Sequence, residues 1–246
     1  LVVVEPDELE SWPGVAAARG VTAVSGTPTF WRRALHRDPD ALAAVPLEQI
    51  TLGGEPVDQA ILDRLRAMFP QARVSWIYAS SEVGASIVVH DGRAGFPVEW
   101  LDRAAPDRPT LSLAGDELVV ESPYAGAGLA GVVRTGDRAG VVDDRVVITG
   151  RLDSDEINVG GAKVSAGAVR EILTAHPDVV WARVAARKAP IVGQLVGAEI
   201  VLRPAAEADT EALTRWCSVR LPDYAVPRMI RVLDAIPARE TLKSDL

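Results

Sequence analysis

The chain has 246 residues, 48% of them hydrophobic and 24% charged, which gives enough apolar side chain for a substantial core and argues against disorder. Acidic residues outnumber basic ones by 34 to 26, a formal net charge of −8, which argues against a general nucleic-acid binder because such a protein needs a basic field. A single cysteine, Cys217, excludes an intrachain disulfide and a cysteine-built metal cage; no apolar run reaches membrane-spanning length, since residues 191–202 are interrupted by Gln194 and Glu199.

In chain order, residues 1–4 read as a strand and 7–18 as a helix. Residues 21–24 form a short apolar strand. Thr27-Pro28 opens a helix through Arg37, with proline in the first turn, where no amide donor is missed. Residues 49–52 are a strand ending in Gly53-Gly54, 56–68 a helix with Val57, Ile61, Leu62, Leu65 and Met68 on one face, and 73–78 a further strand. This βαβαβ order predicts a parallel, doubly wound layer with ligands beyond the carboxyl ends of the strands. Gly53-Gly54-Glu55 and the segment from Tyr78 to Gly84 fall at such ends.

From Ile87 to Gly150 the rhythm changes to short strands (117–121, 132–134, 140–142, 146–149) with a hairpin turn at Asp143-Asp144, which predicts a small antiparallel sheet or barrel. Residues 151–246 read as an α+β unit, with strands at 156–159, 179–187, 195–202 and 228–233 and helices at 165–175 and 209–220; Ser165 is an N-cap. Residues 1–150 carry 13 bases and 21 acids, whereas 151–246 carry 13 of each, so a domain boundary is expected near 150. Twenty-three of the basic residues are arginine, and Lys163, Lys188 and Lys243 are the lysines, which singles each of them out for inspection. His36, His90 and His176 show no metal-ligand spacing, and Cys217 falls on the apolar side of its helix.

Four segments stand together: Tyr78-Ala79-Ser80-Ser81-Glu82, Arg134-Thr135-Gly136-Asp137, Gly150-Arg151-Leu152-Asp153 and the glycine-rich run from Ile157 through Gly160-Gly161 to Ser165. A fifth runs from Ile236-Pro237 to Leu242-Lys243. In this order and spacing the chain resembles the acyl-adenylating (AMP-forming) superfamily of acyl-CoA synthetases, nonribosomal-peptide adenylation domains and luciferases. The resemblance implies an α/β fold: the later part of a large adenylate-forming domain over 1–150, with a parallel α/β layer and a small barrel-like part, followed by a mobile C-terminal α+β lid over 151–246.

It also implies an activity, ATP-dependent conversion of a small carboxylic acid to an acyl-adenylate, followed by transfer to a thiol of CoA or of carrier-protein phosphopantetheine. By position, Tyr78 is expected to stack on adenine, Ser81 to donate to phosphate and Glu82 to help hold Mg²⁺, a hard cation suited to oxygen ligands. Gly53-Gly54-Glu55 resembles the turn bordering the nucleotide, where bare backbone lets a flat base approach. Asp137 matches the acid that accepts both ribose hydroxyls, and Arg151 the arginine reaching ribose and phosphate. Leu152-Asp153 coincides with the family's hinge, and Gly160-Gly161 with the lid face that approaches the thiol. Lys243 stands at the catalytic lysine, whose ammonium offsets charge as the carboxylate attacks the α-phosphate.

The sequence departs from the family pattern in several places. Ala79 stands for glycine, Ser81 for threonine and Leu242 for glycine, while Ala166, Gly167 and Arg170 lie where proline and glutamate are common. The family's phosphate loop and N-terminal subdomain have no counterpart here. Since the sequence begins at Leu1 rather than Met, a fragment, a processed product or a trimmed chain is expected. Three readings follow, in order of preference: the C-terminal part of an acyl-adenylating enzyme that needs an N-terminal portion in cis or from a partner chain; a non-catalytic relative that binds nucleotide or an acyl carrier protein; and an enzyme complete without the phosphate loop. A cytoplasmic protein with no nucleic-acid or membrane partner is the expectation.

Overall fold

The structure, a computed structural model, describes residues 11–80, 82–125, 131–152, 156–189, 193–206 and 209–237. The chain divides into two compact units: Leu1–Leu113, Val119–Arg134 and Val141–Val147 make the first, and Ala114–Leu118, Thr135–Gly140 and Ile148–Leu246 the second. The strand expected at residues 1–4 lies outside the described residues.

In the first unit, β1 (Ala23–Gly26), β2 (Gln49–Gly53) and β3 (Arg73–Ser80) pair in parallel, and β4 (Gly84–Val89) adds an antiparallel edge to β3. The parallel layer is the expected one. Its order is not: the described strands run β1-β2-β3-β4 in sequence, without the reversal a doubly wound sheet requires. Helices α1 (Trp12–Ala18), α2 (Pro28–Arg37), α3 (Pro39–Ala43) and α4 (Gln59–Met68) accompany them.

Each of the last three is started by a side chain. Thr27 accepts from the Phe30 amide at 3.1 Å, Asp38 from Ala41 at 2.9 Å and Asp58 from Ile61 at 3.1 Å. The Asp58 cap explains why α4 begins at Gln59 and not at the expected Pro56. Asp58 also ion-pairs with Arg32 of α2, and α3 was not foreseen at all. The core is formed by Trp31, Leu42, Ile50, Leu52, Ile61, Leu62 and Leu65, all essentially without solvent exposure, while Trp12, Phe30 and Trp31 stack edge and face with centroids 5.1–6.1 Å apart.

A five-stranded sheet follows in the order β5-β9-β8-β7-β6, with β5 (Phe96–Pro97), β6 (Thr110–Ala114), β7 (Glu117–Glu121), β8 (Val132–Val142) and β9 (Arg145–Arg151). The strands expected at 132–134 and 140–142 are one continuous element. Gly136, at φ +70°, supplies a kink in mid-strand that reads as an interruption in the sequence. Asp143, at φ +53°, makes the expected turn between β8 and β9.

The second unit contains the hairpin β10 (Glu156–Val159) and β11 (Ala162–Ser165), helix α5 (Ala166–Thr174), and a sheet in which β12 (Val179–Ala189) pairs antiparallel with β13 (Gly193–Leu202), itself parallel to β14 (Met229–Val232). Ser165 caps α5, accepting from Ala168 at 3.3 Å, and Asp209 caps α6 (Thr210–Ser218), accepting from Ala212 at 2.8 Å. One core gathers Ile157, Val169, Leu173, Val196, Ile200 and Leu213. Near them Glu199, itself buried, lies between Arg183 and Arg187. Burial alone would raise its carboxyl pKa, but the hydrogen bond and charge of Arg183, helped by Arg187, bring it below the usual value.

Cys217 sits in the same core with no solvent exposure, and burial pushes its thiol up to about 11 against only a small opposing effect of Arg220. The native thiol is therefore expected to resist an aromatic disulfide reagent at pH 8 and to react fully only in denaturant. Because the folded state holds this proton more tightly than the unfolded one, whose thiol titrates near 9.0, the contribution to stability is complete below that pH and is lost as pH rises toward 11. A fast native reaction at pH 8 would contradict this burial.

Candidate functional site

In the first unit the parallel register, Gly26 opposite Leu52 and Gly53 opposite Ile77, aligns the carboxyl ends of β1, β2 and β3 along one edge. Gly53-Gly54-Glu55 leaves β2 there. A Cβ on Gly53 would stand 3.2 Å from the Ile77 carbonyl oxygen, and Gly54 adopts φ +78°, so both positions suit glycine for steric reasons of their own. The Glu55 carboxylate accepts from the Thr29 amide in the first turn of α2 at 2.9 Å, which adds a negative charge at a helix N-terminus and ties β2 to α2.

Tyr78 is half-buried near the end of β3, opposite Ile87, and the pairing with β4 shifts register between Tyr78 and Ala79. Glu82 is exposed in the turn that follows. Sequence reasoning did not foresee what holds this turn. Buried Ser122 donates to the Val83 carbonyl at 2.8 Å and accepts from the Tyr124 amide at 3.1 Å. No periodicity or motif marks Ser122, because its role depends on a partner 39 residues away. Trp76, two residues before Tyr78, is buried with its indole N–H donating to the Arg93 carbonyl at 3.1 Å. Ser81 lies outside the described residues.

In the second unit Asp137 and Arg151 meet directly. Arg151 Nη1 donates to an Asp137 carboxylate oxygen at 3.3 Å and to the Thr135 carbonyl at 3.0 Å. The Asp137 side chain is 15% exposed and that of Arg151 59%, so a sheltered carboxylate carries a cation reaching into solvent. The kink that presents them is heavily bonded. Thr135 Oγ1 donates to the Leu118 carbonyl at 2.7 Å and accepts from the Asp137 amide at 3.1 Å, and the Leu152 amide donates to the Gly136 carbonyl at 2.8 Å. Gly136 is favoured by its φ of +70°, and a Cβ there would stand 3.2 Å from the flexible Arg151 guanidinium, which would have to shift slightly.

Gly160 and Gly161 form the two-residue turn of the β10–β11 hairpin, with φ +57° and +92°, in open space. Asn158 closes the turn by accepting from the Gly161 amide at 2.9 Å. Arg170, where glutamate is common, donates to the Thr149 carbonyl at 2.9 Å and so fastens α5 to β9. Arg138, next to Asp137, ion-pairs with Asp116 and with Glu156 at 3.6 Å, and Glu156 in turn pairs with Lys163 at 3.0 Å. Asp153 and Lys243 lie outside the described residues.

Among the described residues no three His, Cys, Asp or Glu side chains converge as a metal cage. A cation carried in on phosphates asks for less, and the exposed carboxylate of Glu82 is an oxygen donor of the right kind. His90 bonds to Ser75 Oγ at 2.8 Å and His176 accepts from the Asp178 amide at 3.2 Å. An open groove of about 890 Å³ in the second unit, lined by Arg187, Arg215, Arg228 and Arg231 among others, includes none of the expected site residues. No helix of the described residues is long and apolar enough to cross a membrane.

Residues 168–243 match the family model of the AMP-binding enzyme C-terminal domain. Over 91% of its length the chain is 29% identical to a 4-chlorobenzoate–CoA ligase of Arthrobacter sp., of which it covers 47%, and over 92% of its length it is 25% identical to a dimodular nonribosomal peptide synthase of Bacillus subtilis, of which it covers 10%. The chain thus spans about half the length, or less, of these curated relatives. Among solved structures, the anthranilate CoA ligase AuaEII in complex with anthranoyl-AMP superposes with a TM-score of 0.78 at 20% identity, covering 99% of this chain and 52% of that one. The amide bond synthetase McbA from Marinactinospora thermotolerans gives 0.74 at 24% identity, covering 99% and 53%. Residues 168–243 thus match the AMP-binding enzyme C-terminal domain family, and a parallel α/β layer, a small β-sheet and a C-terminal α+β region in this order give the chain the fold of the acyl-adenylate-forming ligases.

Proposed function

We propose that this chain supplies the adenosine-binding part and the C-terminal lid of an ATP-dependent acid–thiol ligase. It would activate a small carboxylic acid as its acyl-adenylate, with release of pyrophosphate, and pass the acyl group to a thiol. The observation that carries the reading is the kink of β8, where a sheltered carboxylate, Asp137, is held against Arg151. An ionised carboxylate accepts two hydroxyl donors at once, which is what a ribose diol presents. The neighbouring guanidinium pairs with that carboxylate and adds a donor for phosphate. Tyr78 offers a face for adenine, Gly53-Gly54 allow close approach, and Ser81 donates to phosphate. Glu82 is the Mg²⁺ ligand in this reading; the ion, when bound, neutralises phosphate charge. Lys243 orients the carboxylate and the α-phosphate and offsets developing charge.

Rotation about Asp153, between residues 1–150 and the lid, would exchange the face carrying Lys243 for the one carrying Gly160-Gly161, so that adenylation and thiol transfer use the same pocket in turn. Coenzyme A is the first candidate acceptor and a carrier-protein pantetheine the second. The names of the relatives point both ways, to CoA ligases and to peptide synthases. The same names put small aromatic acids first in a substrate panel. An N-terminal portion, in cis or as a partner chain, would complete the acid pocket, because the relatives are about twice as long.

The deciding experiment is carboxylate-dependent exchange of labelled pyrophosphate into ATP, by the chain alone and with the N-terminal portion of a relative. Exchange is expected in the paired sample. Exchange by the chain alone, abolished in Lys243→Ala, would show that no further portion is needed. Absence of exchange in every pairing would overturn catalysis and leave a nucleotide- or carrier-binding relative.

A further inference from the structure

Glu117 stands out because it is an acidic side chain only 5% exposed that neither the family comparison nor the reading above uses. It begins β7 and accepts from the Gly136 amide at 2.9 Å. Gly136 immediately precedes Asp137, and its left-handed backbone sets the direction in which the Asp137 side chain leaves β8. A residue at positive φ in mid-strand turns its amide out of the regular ladder, so the N–H needs an acceptor from elsewhere, and a buried donor left without one is costly. Glu117 is that acceptor. The next residue, Leu118, receives Thr135 Oγ1 through its carbonyl at 2.7 Å, so β7 grips the kink at two successive residues. On the other side of the kink, Arg151 and the Leu152 amide bond to the Thr135 and Gly136 carbonyls.

We infer that Glu117 is a positioning residue: its carboxylate fixes the Thr135–Gly136–Asp137 kink and thereby aims the Asp137 carboxylate for the ribose diol. The inference rests on the proposed role of Asp137. It deepens that role by naming what keeps the carboxylate in place when Arg151, mostly in solvent, moves toward phosphate. A neutral amide oxygen can accept the same N–H. For this bond geometry is therefore what residue 117 supplies, and glutamine is expected to hold the kink.

The test uses the full chain, with ATP as probe, in two arms. In the first, ATP binding is measured by calorimetry for the wild type, Glu117→Ala, Glu117→Gln, Asp137→Ala and the double alanine variant. Glu117→Ala is expected to weaken binding about tenfold, Glu117→Gln less than about twofold, and Glu117→Ala to add nothing in the Asp137→Ala background. The second arm needs no nucleotide: amide exchange at Gly136 and Leu152 is followed by NMR, and is expected to speed up in Glu117→Ala and return to the wild-type rate in Glu117→Gln.

Unchanged exchange in Glu117→Ala overturns the positioning role. So does a full additional loss of affinity in the double variant, because Glu117 would then act independently of Asp137. If exchange speeds up as expected while Asp137→Ala leaves ATP binding unchanged, or while no variant binds ATP, the ribose role falls and the control of the kink by Glu117 stands. A glutamine variant that behaves like alanine overturns the geometric account.

Discussion

Replacing Asp137 by alanine is expected to raise the Kd for ATP by on the order of 10²-fold, the loss of two hydrogen bonds to one ionised acceptor. Asp137→Asn is expected to fall in between, since the amide accepts one hydroxyl but carries no charge. Arg151→Ala is expected to cost less, about 3- to 10-fold, because a guanidinium 59% exposed is screened by water and contributes little until phosphate arrives. The ordering matters more than any single value. A sheltered carboxylate and an exposed cation of equal effect would mean that their mutual ion pair, and not the nucleotide, is what the variants disturb. Calorimetric titration with ATP and with a 2′,3′-dideoxy analogue separates the two: the analogue is expected to bind wild type and Asp137→Ala alike. A dideoxy analogue that still discriminates between them would remove the ribose from the assignment.

The parts of this architecture that sequence reveals are those governed by local rules. Thr27-Pro28, Ser165 and Asp209 are side chains that satisfy amides three residues ahead, so the starts of α2, α5 and α6 can be read within one helical turn. The double glycine at 160–161 marks a two-residue hairpin turn for the same reason, since both positions need positive φ. Asp58 obeys the rule too, but the apolar run that begins at Val57 conceals it. What sequence did not reveal depends on partners far along the chain. The grip of Ser122 on the Val83 carbonyl and the bond from the Gly136 amide to Glu117 span 39 and 19 residues, and neither leaves a periodic trace. Gly136 misleads in the opposite direction. A glycine at positive φ usually ends a strand, and here it bends one that continues to Val142.

The same distinction governs the site. Asp137 and Arg151 are singled out because each stands in a short motif, and they meet in the structure at 3.3 Å. Glu55 is singled out as part of Gly-Gly-Glu, and its carboxylate accepts from the Thr29 amide. A motif reports which residues recur together and does not say whether a given one touches ligand or shapes the loop that does. The Glu55 and Glu117 carboxylates each accept a backbone amide of the fold.

Lys243→Ala is expected to slow adenylate formation by on the order of 10²- to 10³-fold while leaving the Kd for ATP within about twofold. The assignment rests on the position of Lys243 after Pro237 and on its place in the ordered motifs, among only three lysines in the chain. An ammonium that acts as charge moves onto the α-phosphate oxygens stabilises the transition state more than the bound ground state, so its loss should appear in the rate and not in binding. Lys243→Arg is expected to rescue little. The compact ammonium is a point charge on a flexible stem, and the planar fork of a guanidinium does not occupy the same place. Single-turnover formation of the adenylate, in the presence of the N-terminal portion, isolates this step. Transfer of the acyl group from preformed adenylate to the thiol supplies the control. In the proposed cycle that second step uses the other face of the lid, and it is expected to proceed in Lys243→Ala at close to the wild-type rate. Equal losses in both steps would place Lys243 in the fold of the lid, and a loss confined to ATP affinity would make it a binding group.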